Sequence, residues 1–235
     1  MPPKRVRPEK FVDSVHEVVD TVNMVASPDA AFAPIAGSAG DEDQTTRERL
    51  LGCALGIVSE GGVAKLGIRE VARCAGVSHN APSRHFPTHA SLCTAVAAVG
   101  FERFVEDQET SLVGVTDPGD RMCAIAYSYV HFALDNRGLF DIMWRHDLVD
   151  MLDAKMLPPA SRSFEILREC VAAYQNTGWN ESLPTDEVAG FMWSWVHGLA
   201  QLWGSAAMPI YDMPTRLDQH VRTGIEILRV KKQEN

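Results

Sequence analysis

Two short segments with apolar residues at helical spacing, residues 68–75 and 78–86, are parted only by Gly76 and Val77, and this closeness constrains the fold more than any other feature. Helices joined so tightly must cross at a steep angle, which requires a thin inner face on the first. Val71, Ala72 and Ala75 supply that face. The turn favours positive φ, which glycine adopts without strain, and Gly76 stands there. Ser78 is placed where its hydroxyl can cap the second helix, leaving the N-terminal amides and positive dipole end facing outward. Upstream, Leu50, Leu51, Ala54, Leu55, Ile57 and Val58 repeat at helical spacing from Thr46 until Gly61 and Gly62 stop the run. Helix, short helix, tight turn and short helix outline a helix-turn-helix.

On either side the chain reads as helical or unstructured. Phe11, Val15, Val18, Val22 and Val25 predict a short helix over 9–25, and the Ala-, Gly-, Pro- and acid-rich stretch 26–44 predicts a linker. Residues 1–44 are therefore expected to be an extension appended to the folded part. Thr88 is the expected N-cap of a long helix over 91–109, with Leu92, Val96, Val99 and Phe104 on one side. Further helices are expected near 119–136, 138–156, 160–177, 185–207 and 214–231, punctuated by proline and glycine. No segment alternates as a strand does, so the chain is read as all-α.

The net charge of −9 hides an asymmetry. Residues 46–90 hold six basic and three acidic side chains, a balance of three positive charges, while the rest of the chain carries twelve negative. Such a module turns a basic face toward a polyanion as the acidic body is repelled. No apolar run approaches the ~18 residues of a membrane span, and the basic start at Lys4, Arg5, Arg7 and Lys10 leads into acidic residues instead of the apolar core of a secretory signal. The expected location is cytoplasmic, with no membrane partner. Those four basic residues are read as a solvated tail or as a minor-groove arm. Cys53, Cys74, Cys93, Cys123 and Cys170 are odd in number and lack a C-x-x-C pair, so buried reduced thiols are expected, with neither a disulfide framework nor a zinc site.

In a helix-turn-helix the first residues of the second helix reach base edges in the major groove. Here they are His79, Asn80 and Ala81. Asn80 can pair bidentately with an adenine edge, Ala81 can meet a thymine methyl, and His79 can donate to guanine or phosphate. Arg47, Arg69 and Arg84 suit phosphates, which fix register without reading sequence.

The stretches Thr46-Arg-Glu-Arg-Leu-Leu, Ile68-Arg-Glu-Val-Ala, Ala75-Gly-Val-Ser and Arg84-His-Phe, followed by Leu92, resemble the TetR family of bacterial regulators. The resemblance is close from Thr46 to about Glu109 and looser beyond. Ser78-His-Asn-Ala-Pro, together with Trp195-Val-His-Gly, is similar to one branch of it. It implies a three-helix DNA-binding domain over 45–92, joined by the long helix to a ligand-binding and dimerisation domain over 93–235. It also implies a homodimer paired through the helices near 185–207 and 214–231, binding a near-palindromic operator as a repressor released by an effector. Ser83, His85, Thr88 and His89 join the DNA-facing set by this resemblance. Ser83 stands where the family usually has tyrosine, and His89-Ala90 where it often has Lys-Glu. At about 1 kcal/mol per lost backbone contact, these departures imply DNA binding weakened tenfold or more, with His89 compensating in part at low pH.

Tyr127, Met143, Trp144, Phe164, Trp193 and His197 are the expected lining of a pocket for a small apolar or amphipathic effector, since aromatic, Met and single polar residues suit one. His131 and Asp135, four apart, are an ordinary pattern on a helix face, and spacing brings no third ligand from His146, Asp147 or His197. No metal or cofactor is therefore expected. The alternative reading, a helical metal-dependent hydrolase or an adaptor that does not bind DNA, lacks any nucleophile–base spacing. The chain is expected not to be an enzyme.

Overall fold

The computed structural model describes residues 39–205 and 216–228. The expected helix over 9–25, the basic residues 4–10 and most of the expected linker lie outside them. All the packing below belongs to the unit that begins at Thr46. The secondary structure of the described residues is all helical, as expected: α1 (Ala39–Gly61), a 3-10 turn (Val63–Lys65), α2 (Ile68–Cys74), α3 (Ala81–His85), α4 (His89–Ser111), α5 (Pro118–Asp135), α6 (Arg137–Met143), α7 (Leu157–Gln175), α8 (Thr185–Gly204) and α9 (Leu217–Ile227). No helix among the described residues is long and apolar enough to cross a membrane.

The first helix starts at Ala39, seven residues before the expected Thr46, because an acid-rich stretch is favoured at the positive end of a helix dipole. Its apolar face buries Leu50, Ala54 and Val58. Gly62, at φ 72°, then turns the chain into the 3-10 turn. Gly76 takes the expected positive φ, 65°, and the Val77 amide closes the end of α2 by donating to the Ala72 carbonyl at 3.1 Å.

The second helix of the motif departs from expectation. It begins at Ala81, because the Ser78 carbonyl accepts from the Ala81 amide at 3.0 Å and makes a turn of residues 78–81. Asn80 is the N-cap residue, without a side-chain cap bond. The serine that serves this helix is Ser83, whose hydroxyl donates to the Asn80 carbonyl at 2.8 Å. Pro82 fits in the first turn, where a missing amide proton costs nothing.

Thr88 caps α4 as expected, in a reciprocal pair with Ser91: each side-chain oxygen accepts from the other's amide, at 3.0 and 3.1 Å. Helices α4, α5, α7 and α8 pack on one another as a four-helix body, with α9 on α5 and α6 on α4 and α5. The helix expected over 138–156 ends at Met143. Beyond it Asp150 and Asp153 accept amide protons from Leu152 and Lys155, two residues on, which holds the backbone in turns instead of helix.

Two glycines mark close approaches. A Cβ on Gly138 of α6 would overlap the carbonyl oxygen of Val58 in α1, and one on Gly100 of α4 would lie 2.7 Å from Met143 Sδ. The expectation of five reduced thiols is corrected: Cys53 of α1 and Cys74 of α2 form a disulfide, leaving Cys93, Cys123 and Cys170 free and buried. Spacing gave no hint of it, because the 21-residue separation is closed only by α2 folding back on α1.

Gly138→Ala should destabilise the protein by about 1–3 kcal/mol, because a backbone oxygen cannot move aside. Gly56→Ala, which would meet nothing within 4 Å in the same helix as Val58, should raise stability by about 0.5–1 kcal/mol. Urea titration followed by circular dichroism compares the two. Thiol titration of the unreduced, denatured chain should count three thiols; a count of five would refute the Cys53–Cys74 pairing.

Candidate functional site

The turn and short helix after α2 present one polar surface. Arg69, Ser78, His79, Asn80, Ser83, Arg84, Thr88 and His89 are all exposed, with Ala81 and His85 half-buried among them. This surface is held from behind by the core residues Val71, Ala72, Pro82 and Phe86. Two ties bind it to α1: the Cys53–Cys74 bond, and the Arg47 guanidinium stacked 5.2 Å from the centre of the Phe86 ring. Arg47 therefore serves packing here, in addition to the phosphate role read from sequence. Arg73, counted in the basic balance, is bonded to Glu70, whose carboxyl it holds below the usual carboxylate range.

His89 also has an internal partner. A carbonyl can only accept, so His89 Nε2 carries the proton and donates to the Leu66 carbonyl at 2.7 Å. Its Nδ1 lies 3.6 Å from the Cys93 thiol. The bond fixes the start of α4 to the loop that precedes α2.

A second site lies in the four-helix body. A cavity of about 650 Å³ opens between α4, α5, α7 and α8, within the size range of small-molecule sites. Its wall on α5 is Met122, Ile125, Ala126 and Tyr129, spaced i, i+3, i+4, i+7 on one helix face. Phe101 and Gln108 come from α4, Phe164 and Arg168 from α7, and Met192, Trp193 and Val196 from α8. Trp144, just past α6, joins them edge-on to Phe101 at 5.3 Å and tilted against Trp193 at 5.4 Å.

Of the six residues expected to line a pocket, Trp144, Phe164 and Trp193 do so. Tyr127 falls on another face of α5 and stacks on His131, while Met143 is fully buried beside Gly100. His197 stands behind the wall, where its Nδ1 lies 2.8 Å from the Tyr129 hydroxyl. Sequence reasoning missed Tyr129 and Gln108. The signal for Gln108 is its phase: it continues the buried stripe of Phe101 and Phe104, where an apolar residue is the default.

The electrostatics of the cavity are specific. Arg168 donates to Asp186 at 2.7 Å and to Glu165 at 2.8 Å, which pins α7 to the first turn of α8. Burial pushes the Tyr129 hydroxyl far up and His197 below its ordinary 6.5. A protonated phenol thus donates to a neutral imidazole. Gln108 Oε1 and Trp144 Nε1 are buried and have no hydrogen-bond partner among the described residues. An unmet buried polar group of this kind costs about 1–3 kcal/mol. Among the described residues no three His, Cys, Asp or Glu side chains converge as metal ligands.

Comparison with known proteins bears on both sites. The family description "Tetracyclin repressor-like, C-terminal domain" matches residues 122–228. Over 105 residues, 45% of this chain, the sequence is 29% identical to the HTH-type transcriptional regulator CymR of Pseudomonas putida; the match spans about half, 52%, of that protein. A protein of unknown function from Rhodococcus sp. RHA1 superposes with TM-score 0.65 at 28% identity, over 82% of this chain and 94% of that one. The TetR family transcriptional regulator PfmR of Thermus thermophilus superposes with TM-score 0.58 at 17% identity, over 79% and 100%. The last likeness is one of fold.

Because folding depresses the His197 pKa, the unfolded chain binds this proton more readily. Its contribution to stability is complete above 6.5 and is lost as pH falls through the lower folded value. His197→Gln should flatten the fall in melting temperature on acidification below pH 6.5, measured by circular dichroism against the parent chain. An unchanged slope would remove His197 as the group responsible.

Proposed function

We propose, from the premise that the chain belongs to the TetR family of transcriptional regulators, that it is a homodimeric repressor released from a near-palindromic operator when a small apolar or amphipathic molecule enters the cavity. The observation that carries this reading is that α4 takes part in both sites. Its first residue, His89, is bonded to Leu66 beside the helix-turn-helix, while Phe101 and Gln108 farther along form cavity wall. A 23-residue helix spans ~34 Å, so one rigid element connects the two places. A tilt of α4 driven by the ligand would shift the DNA-facing surface, and a coupling of about 1–3 kcal/mol suffices for such a switch.

The reading surface is Ser78, His79, Asn80 and Ala81, with Arg69, Ser83, Arg84 and His85 toward the phosphates. Thr88, His89 and Arg47 sit at its rim and hold it in place. Exposure of Asn80 and Arg84 supports the assignment. Pairing through α8 and α9 is supported by apolar side chains left open there: Phe191 is 58% exposed, Leu202 53% and Ile227 74%. Gly190 and Gly198 of α8 would meet nothing within 4 Å even with a Cβ, which leaves room for a second helix to approach. A two-fold dimer sets two reading surfaces about 34–36 Å apart, matching successive major grooves.

Fluorescence anisotropy with the DNA upstream of the chain's own coding sequence tests the reading. The parent chain should bind that duplex at least a thousandfold tighter than random duplex, with affinity falling steeply with salt. Asn80→Ala should narrow this preference by about 1–3 kcal/mol and leave the dimer intact by sedimentation. Phe191→Lys should yield monomers that lose operator binding. Equal affinity of the parent chain for both duplexes would sink the reading.

A further inference from the structure

We propose that the Cys53–Cys74 bond is a thiol-exchange site that sets operator affinity: a low-molecular-weight thiol opens it, and base recognition weakens while the phosphate contacts persist. The proposal rests on the reading of residues 78–85 as the DNA-facing surface. The bond joins α1 to the last residue of α2, two residues before the Gly76 turn that leads into Ser78, His79, Asn80 and Ala81. That turn moves with α2, because the Val77 amide donates to the Ala72 carbonyl. The apolar anchors of this end are small: Val71 and Ala72 are buried, Ala75 and Val77 half-buried. Phe86, at the end of α3, is tied to α1 separately by Arg47. Opening the bond loosens the end of α2 and the turn it carries, while Ser83 and Arg84 of α3 keep their mount.

Access singles out this pair. Cys93, Cys123 and Cys170 are buried, and burial pushes each thiol up, Cys123 to about 11, which keeps them unreactive. Cys74 is exposed and Cys53 half-buried. An incoming thiolate reaches Cys74 Sγ, forms a mixed disulfide there and releases Cys53 as a thiolate, which takes up a proton. A second thiol attacks the small-molecule sulfur of the mixed disulfide and releases Cys74 in the same way. One protein disulfide and two thiols thus become two cysteine thiols and one small-molecule disulfide, and the electrons gained by the protein are those the thiols lose. Transcriptional regulators meet DNA in a compartment kept reducing by its thiol pool, where a disulfide is usually transient and either catalytic or redox-sensing.

Fluorescence anisotropy on the full chain, with the upstream duplex and a random duplex, tests this on two forms: air-oxidised, and reduced with dithiothreitol without oxygen. Reduction should weaken operator binding about tenfold or more and change random-duplex affinity by about twofold or less, and oxidised glutathione should restore the first. Cys74→Ser and Cys53→Ser should each bind operator as the reduced parent does, with or without dithiothreitol, at unchanged helix content by circular dichroism. The two forms of the parent chain decide the matter if either variant fails to fold. Operator binding by the reduced form as tight as, or tighter than, that of the oxidised one, or an equal fall on both duplexes, overturns the proposal and leaves the DNA-facing reading standing. So does a full set of titratable thiols in the unreduced, denatured chain. No preference for operator in either form would overturn both.

Discussion

At Gly138 the backbone of α6 lies against the carbonyl oxygen of Val58 in α1, so closely that a methyl group would overlap it. Contacts between side chains can relax by a change of rotamer, but backbone on backbone cannot. Helix α6 is therefore held at a fixed separation from α1. Five residues on, Met143 fills the space left by Gly100 of α4, and the next residue is Trp144 of the cavity wall. From Gly138 to Trp144 the span is only ~9 Å. A short helix wedged between α1 and α4, with an indole at its tip, links the cavity wall to α1 by close contacts.

The helical body holds both completed and unfinished hydrogen bonding. Gln175 Nε2 donates to the Asn180 and Leu183 carbonyls, its Oε1 accepts from Thr185, and Tyr129 meets His197, whereas Gln108 Oε1, Ser128 Oγ, Trp144 Nε1 and Trp179 Nε1 are buried without a partner among the described residues. Two of these four atoms belong to residues of the cavity wall, Gln108 and Trp144. The aromatic layer behind them, with His197 within 5.3 Å of Trp144 and 5.5 Å of Phe140, gives the wall a stiff backing. Stiffness matters because a soft wall would close over the space and rearrange to satisfy itself.

Much of this was legible from residue order alone, and the reasons are local. The Gly76 turn, the Thr88 cap and the approximate extents of α5, α7 and α8 follow from short-range chemistry, and the structure shows each. What escaped depends on neighbours distant in sequence. Ser78 has a capping side chain, but its carbonyl is taken by the Ala81 amide, which delays α3. Tyr127 and Tyr129 are equal candidates by composition, and only the packing of α5 against α4 and α8 turns Tyr129 inward. Cys53 and Cys74 are unremarkable by spacing, and meet only once α2 has folded onto α1. The helix expected through residue 156 fails because the aspartates that follow prefer to bond their own backbone.

The Cys53–Cys74 bond, together with the Arg47–Phe86 stack, ties together α1, α2 and α3, the helices that carry the exposed polar surface. With α1 covalently joined to α2, and the end of α3 clamped under an arginine that α1 supplies, the motif has no hinge of its own. Of these two ties only the Cys53–Cys74 bond is open to reduction; without it α1 and α2 would be held by the Arg47–Phe86 stack and the buried Leu50, Ala54, Val58, Val71 and Ala72 alone.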